Sequence, residues 1–283
     1  MDADTLTTVR AWAGCEVTSA TLLDGGEVGT VRRVDLADGR RVVVKTGPPD
    51  PTVEAGMLRH LAAEGGLRVP AVHHAGDGVL VLEHVAHDAD AAVTPAVARD
   101  LAERLAALHA TTADAFGFPF DTLTGPYDQP NAWTDAWPAF FGEHRLAHSA
   151  TQAHEEGVLP AADLNRVDAL VDDLPDLLDH DPTPALIHGD VWAGNVLHDG
   201  ERVTALLDPA CYYGDPEVEL AYVEWTETGG AAFRERYREV ARVADGYADR
   251  EPVYRLYPLL THLRYFGTEY LDEVRATLSV VGY

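Results

Sequence analysis

Apolar positions recur along this chain in two rhythms, and the change between them divides it. Up to about residue 84 the apolar runs are short and bounded by turn residues. Val17–Leu23, Val28–Leu36, Arg41–Lys45 and Gly78–Leu82 each read as strands, with Ala37-Asp38-Gly39 as a tight turn between the second and third. One helical stretch interrupts them. In PTVEAGMLRHLAAEGG, Val53, Met57 and Leu61 recur every four residues, Thr52 after Pro51 is the expected N-cap, and Gly65-Gly66 is the stop. A short helix over 6–13 precedes the strands. From about residue 95 the period turns helical: Val97, Leu101, Leu105 and Leu108 share one face, and 134–148, 162–179, 216–228, 231–246 and 252–266 also read as helices. Within that half, Ala185–Ile187 and Val203–Leu207 stand out as strand-like. The pattern predicts an α+β chain of two lobes: a small β-rich lobe over 1–84, a linker near 84–94, and a larger, mainly helical lobe over 85–283. No internal repeat or low-complexity segment is present.

Composition narrows the class. With 283 residues, 46% of them apolar, the chain buries a sizeable core. It contains no run of 18 uncharged apolar residues and its acidic opening, MDADTLTTVRAWAG, lacks a signal-peptide core, so a cytoplasmic protein is expected. Cys15 and Cys211 fit no metal spacing and suit a reducing compartment. Forty-seven acidic residues against 21 basic give a net charge of −26, which argues against nucleic acid and anionic membranes as partners. The acid is spread through the chain rather than gathered in a tail. Such a surface suits concentrated salt, where charges are screened within about 3 Å at 1 M; a halophilic origin is the reading we favour over GC-rich codon bias.

Candidate chemistry sits between the two late strands. ALIHGDVWAGNVLHDGERVTALLDPA holds His188-Gly189-Asp190, then Asn195 five residues past the aspartate and Asp208 thirteen further on. One carboxylate to orient an acceptor hydroxyl, with an Asn and a second carboxylate to hold Mg²⁺, is what phosphoryl transfer from ATP requires. The second anchor is Lys45, the only lysine in the chain, closing the strand RRVVVK. It is the expected phosphate-gripping ammonium, with Glu54 nine residues on as its helix partner. Gly25, Gly26 and Gly29 lie between two strands ahead of Lys45. They match neither Gly-x-Gly-x-x-Gly nor a Walker A, yet their position suits a backbone cradle over phosphates. Glu83, His84 and Val85 occupy the place of a hinge for adenine. His73, His74, His84 and His87 have no metal-site spacing, there is no Gly-x-Ser-x-Gly, and Trp133, Trp137, Phe140 and Phe141 read as core or cleft wall.

These residues resemble the aminoglycoside phosphotransferase and choline kinase superfamily, which is protein-kinase-like, and within it the fructosamine (ketosamine) kinases. The resemblance runs nearly end to end. It is carried by FGFPFDTLTGPYDQPNAWTDAWPAFFGEHRL (116–146), by HGDVWAGNVL with Trp192, by DPACYYGDPEVELAY (208–222) and by YPLLTHLRYFG (257–267). It implies a protein-kinase-like two-lobed fold and ATP- and Mg²⁺-dependent phosphorylation of the 3-hydroxyl of small-molecule or protein-linked ketosamines, a deglycation-type activity. Carried onto this sequence, it implies Asp190 as base, Asn195 and Asp208 as Mg²⁺ ligands, Lys45 with Glu54 on the phosphates, adenine contacts through the backbone of Glu83–Val85, and Trp192, Tyr213, Asp215 and His262 around the acceptor. Pro216, Arg264 and WTETGG (225–230) depart from the family pattern and bear on specificity. A phosphotransferase for another amino-sugar, antibiotic or small alcohol is the alternative, and a nucleotide-binding module without turnover a further one.

Overall fold

Alternation along RRVVVK decides where the only lysine points. In the computed structural model, which describes residues 1–23, 29–88 and 92–283, this segment is strand β3 (Arg41–Thr46), preceded by helix α1 (Ala3–Ala13) and strands β1 (Val17–Leu22) and β2 (Thr30–Leu36). Successive strand side chains face opposite sides. Val42 and Val44 therefore enter a small core with Val9 of α1, while Lys45 is delivered to the other face. Helix α2 (Pro51–Glu64), β4 (Val72–Gly76) and β5 (Val79–Glu83) complete this lobe. Its antiparallel sheet runs β1-β2-β3-β5-β4, with Lys45 opposite Val31 on β2 and Leu80 on β5. The α2 N-cap is Asp50 rather than Thr52: its carboxylate accepts from the Thr52 N–H at 2.9 Å. With Pro51 at the first helical position, the cap falls two residues earlier than expected.

The helical lobe begins with α3 (Pro95–His109), followed by a hairpin of β6 (Thr122–Thr124) and β7 (Tyr127–Gln129). The expected helix over 134–148 is α4 (Trp137–Phe141), passing through a π-helical segment, Gly142–Ala147, into α5 (His148–Glu155). That over 162–179 is split into α6 (Ala161–Asp172) and α7 (Leu174–Leu177), where Pro175 opens the second piece. Strands β8 (Ala185–Ile187), β9 (Val196–His198), β10 (Val203–Leu206) and β11 (Tyr212–Gly214) form two ladders, β8 with β11 and β9 with β10. Then follow α8 (Pro216–Trp225), α9 (Gly230–Val240), α10 (Tyr247–Phe266) and α11 (Leu271–Val280). One large core joins α2, Leu80 and Leu82 to the helical lobe, so the sheet's second face and the helices share it. Trp137, Phe140 and Phe141 belong to that core, whereas Trp133 is exposed. No helix among the described residues is long and apolar enough to cross a membrane.

Candidate active site

The loop between β8 and β9 is fixed by backbone requirements. Gly189 has φ +85°, and a side chain there would collide with the Ala210 carbonyl. Glu219, buried on α8, accepts from the Gly189 N–H at 2.6 Å and the His188 N–H at 3.3 Å. It also takes a bond from His109 Nε2 at 2.8 Å, and His109 Nδ1 meets the Tyr237 hydroxyl at 2.6 Å. Burial alone would raise the Glu219 pKa, but His109 and these contacts outweigh it and hold it low, so a fixed carboxylate clamps the loop. His188 is fully buried and, through that burial, kept below the usual histidine range.

Asp190 follows. Asn195 Nδ2 donates to its carboxylate and to its carbonyl, each at 2.9 Å. Burial, reinforced by the negative charges of Asp208 and Glu219, pushes the Asp190 carboxyl up to about 7, against hydrogen bonds from Tyr222 and Asn195. Such a value suits a group that takes a proton near neutrality. Asp208 stands at φ +53° directly before Pro209, a left-handed conformation that is uncommon for a non-glycine residue and costs of order 1–3 kcal/mol. Strain of this kind persists where the surroundings over-determine it.

Lys45 joins the halves. Its Nζ lies 2.8 Å from Glu54 Oε1 and contacts Asp208 Oδ1, its side chain 20% exposed and that of Asp208 50%. Burial would lower the Lys45 pKa, but the two carboxylates outweigh it and raise it, so the amine is charged. Glu54 is raised by burial, with Lys45 opposing. A cavity of about 330 Å³ spans these groups, and Lys45, Glu54, Asp190, Trp192, Asn195, Asp208 and His262 all line it. Gly29 sits at φ +73°, pressed to the β3 backbone: a Cβ would lie 2.5 Å from the Thr46 carbonyl oxygen. Gly25 and Gly26 lie outside the described residues.

Five other expected positions differ. Tyr213 does not line the cavity; it is buried on β11, with its hydroxyl 3.1 Å from His60 Nε2 of α2. Asp215 is also withdrawn from it. It caps α8 through the Glu217 N–H at 3.0 Å and accepts from the Tyr254 hydroxyl at 2.6 Å, beside His180 at 2.7 Å. His180, Asp215 and Glu217 have ligand-like spacing, but Arg250 takes both Glu217 oxygens, making this a closed charge network. Glu83 binds Arg68 with both carboxylate oxygens, and its N–H donates to the Ala71 carbonyl. The Val85 carbonyl is met by His87 Nδ1 at 3.0 Å, and Glu83, His84 and Val85 all lie outside the cavity lining, which reaches Val31 and Leu80.

Sequence reasoning passed over Tyr222 and Glu219, three residues apart on one face of α8; the signal was a glutamate inside an apolar run. It also left Gln129 without a role. Gln129 Nε2 donates to the Ala210 carbonyl at 2.9 Å and to Thr122 Oγ1 at 2.8 Å, tying the β6–β7 hairpin to the segment just past Asp208. Arg145, buried 3.8 Å over the Tyr212 ring, donates to Asn131 Oδ1 at 2.6 Å. The Gln-Pro-Asn stretch is thus a brace for the cavity wall.

Residues 3–281 match the fructosamine kinase family model. The chain belongs to the fructosamine kinase family. It is 38% identical over 239 residues to a probable ketoamine kinase of Synechocystis, covering 80% of this chain and 76% of that one. It is 31% identical over 270 residues to the probable ketoamine kinase YniA of Escherichia coli, covering 91% and 90%. A crystal structure of a candidate fructosamine-3-kinase from Thermobifida fusca superposes with TM-score 0.88 at 31% identity, across 99% of each chain. An aminoglycoside phosphotransferase solved with ADP and hygromycin B shares the protein-kinase-like fold, with TM-score 0.68 at 20% identity over 99% of this chain and 97% of that one. Membership makes this chain an ATP-dependent phosphotransferase with an alcohol acceptor.

Proposed function

We propose that the chain phosphorylates the 3-hydroxyl of ketosamines, with Mg·ATP as donor, in a deglycation-type reaction. The observation that carries the chemistry is the convergence of Asp190, Asn195, Asp208 and the Lys45–Glu54 pair on one cavity; family membership carries the acceptor class. Asp190 accepts the proton of the attacking hydroxyl as its oxygen bonds the γ-phosphorus and the bond to the β-phosphate oxygen breaks. The donor set fits a hard cation. Asn195 uses its Nδ2 hydrogens on Asp190, leaving its carbonyl oxygen as the atom to offer, and Asp208 holds a half-exposed carboxylate. Mg²⁺ bound there neutralises phosphate charge. Lys45, kept charged by two carboxylates, grips the α- and β-phosphates, with Glu54 setting its reach.

ADP release with Mg·ATP, offering ribulosamines and fructosamines beside an aminoglycoside and choline, tests this. Turnover on ketosamines alone is expected, with NMR placing phosphate on O3. Turnover confined to the other alcohols would overturn the acceptor assignment.

A further inference from the structure

Beyond Asp190 the cavity changes character. Its wall there is Trp192 from the catalytic loop, Tyr222 from α8, and His262, Phe266 and Tyr270 from the last part of the chain. His262, Phe266 and Tyr270 form one cluster: His262 lies 5.2 Å from Tyr270 and 5.5 Å from Phe266, and Phe266 lies 5.7 Å from Tyr270. Trp225 backs them, edge-on to His262 at 4.8 Å. Trp192 and Phe266 remain 39% and 41% exposed, although most large apolar side chains of this protein are buried. Open aromatic faces beside a reacting centre favour an apolar or aromatic ligand group.

Charge points the same way. Among the described residues lining the cavity, Lys45 is the only lysine or arginine, and Glu54 and Asp208 already hold it. Arg264 is engaged elsewhere, with Nη2 2.7 Å from Glu156 and its guanidinium 3.8 Å over the Tyr127 ring. The whole chain carries −26. A carboxylate brought to the aromatic end would meet no lysine or arginine among the described lining residues, and a repelling field. A secondary ammonium with an apolar substituent would meet ring faces, which attract cations and exclude water.

We propose that this aromatic end seats the amine arm of the acceptor. It selects ketosamines whose nitrogen bears an apolar or aromatic substituent over those with a carboxylate beside the nitrogen, as in α-amine adducts of amino acids. This rests on the ketosamine reading above. The test uses one ketose carried on two amines, phenethylamine and glycine. Calorimetric binding is measured to the full chain with Mg²⁺ and a non-hydrolysable ATP analogue. The phenethyl compound is expected to bind at least about tenfold tighter. Phe266→Ala should erase the gap by weakening that compound alone, while Phe266→Tyr, which restores a ring, should keep it. Equal binding, a preference for the glycine compound, or a gap that survives Phe266→Ala overturns the proposal. ADP release on the same pair separates the two readings. A binding gap without phosphate transfer supports the arm site and overturns the kinase acceptor assignment; transfer to both compounds with equal binding does the reverse.

Discussion

The two ends of the cavity are built on opposite principles. The end we assign to the phosphates is made of charge: Lys45, Glu54, Asp208 and Asp190 come from both lobes, and each is held by a hydrogen bond or ion pair. The end we assign to the acceptor is made of rings from the helical lobe, with Thr226 and Thr261 among its few polar side chains. Charges aimed at a transition state must be fixed before the substrate arrives, because reorganising them would consume the rate they provide. Ring surfaces need only exclude water and fit a shape. Substitutions at the first end should therefore act on turnover and metal use, and at the second on acceptor affinity.

The largest effect is expected at Asp190. Asp190→Asn should lower turnover about 10²–10⁴-fold, the range of a lost general base, with ATP affinity near wild type; unchanged turnover would remove Asp190 from that role. The same change tests its raised pKa. The folded state favours the protonated carboxyl, so this contribution to stability is present below pH 4 and lost as pH rises through about 7. A carboxamide in place of the carboxylate carries no such charge, so the variant should melt higher than wild type at pH 8, by roughly 2–4 °C for each kcal/mol regained, and the difference should shrink at pH 5. Wild-type kcat/KM should fall as pH drops below about 7.

Next comes Asp208→Asn, which removes the charged side chain proposed to ligate Mg²⁺ and one of the two partners of Lys45. Titration of activity with Mg²⁺ should show a requirement raised by about 10–100-fold; an unmoved titration would contradict the assignment. At the opposite end, Trp192→Ala should raise the acceptor KM by about tenfold with the KM for Mg·ATP unmoved. If both constants move together, the division between the two ends fails. The smallest effect belongs to Tyr213→Phe. Loss of its bond to His60 should cost about 1 kcal/mol by denaturant unfolding with the acceptor KM unchanged; a raised acceptor KM would return Tyr213 to the cavity.

The convergence of the charged residues was legible in the sequence because their types are those the expected chemistry dictates and their spacing is set by two short strands. Lys45 could even be assigned a face from the period of RRVVVK. The aromatic end was half legible. Trp192 and His262 are there, but Tyr213 and Asp215, neighbours of the catalytic segment in sequence, turn to α2 and to Tyr254 instead. Sequence proximity does not say which way a buried strand faces when both its faces are covered. Strand β4 was missed because VHHAG lacks the alternation of a half-buried strand, and the β6–β7 hairpin because three-residue strands carry no period. Helix α10 begins before the expected segment, whose start was set at Pro252: proline suits a first turn, yet here the helix runs from Tyr247 through it.

Lys45 has a consequence outside the reaction. Ketosamines arise when the carbonyl of a reducing sugar condenses with a free, unprotonated amine. This chain has a single lysine amine to offer, recessed in the cavity and kept protonated between two carboxylates. Every other basic side chain is an arginine or a histidine. Among its lysine side chains, the protein thus presents almost no nucleophile to the sugars whose adducts its family is named for.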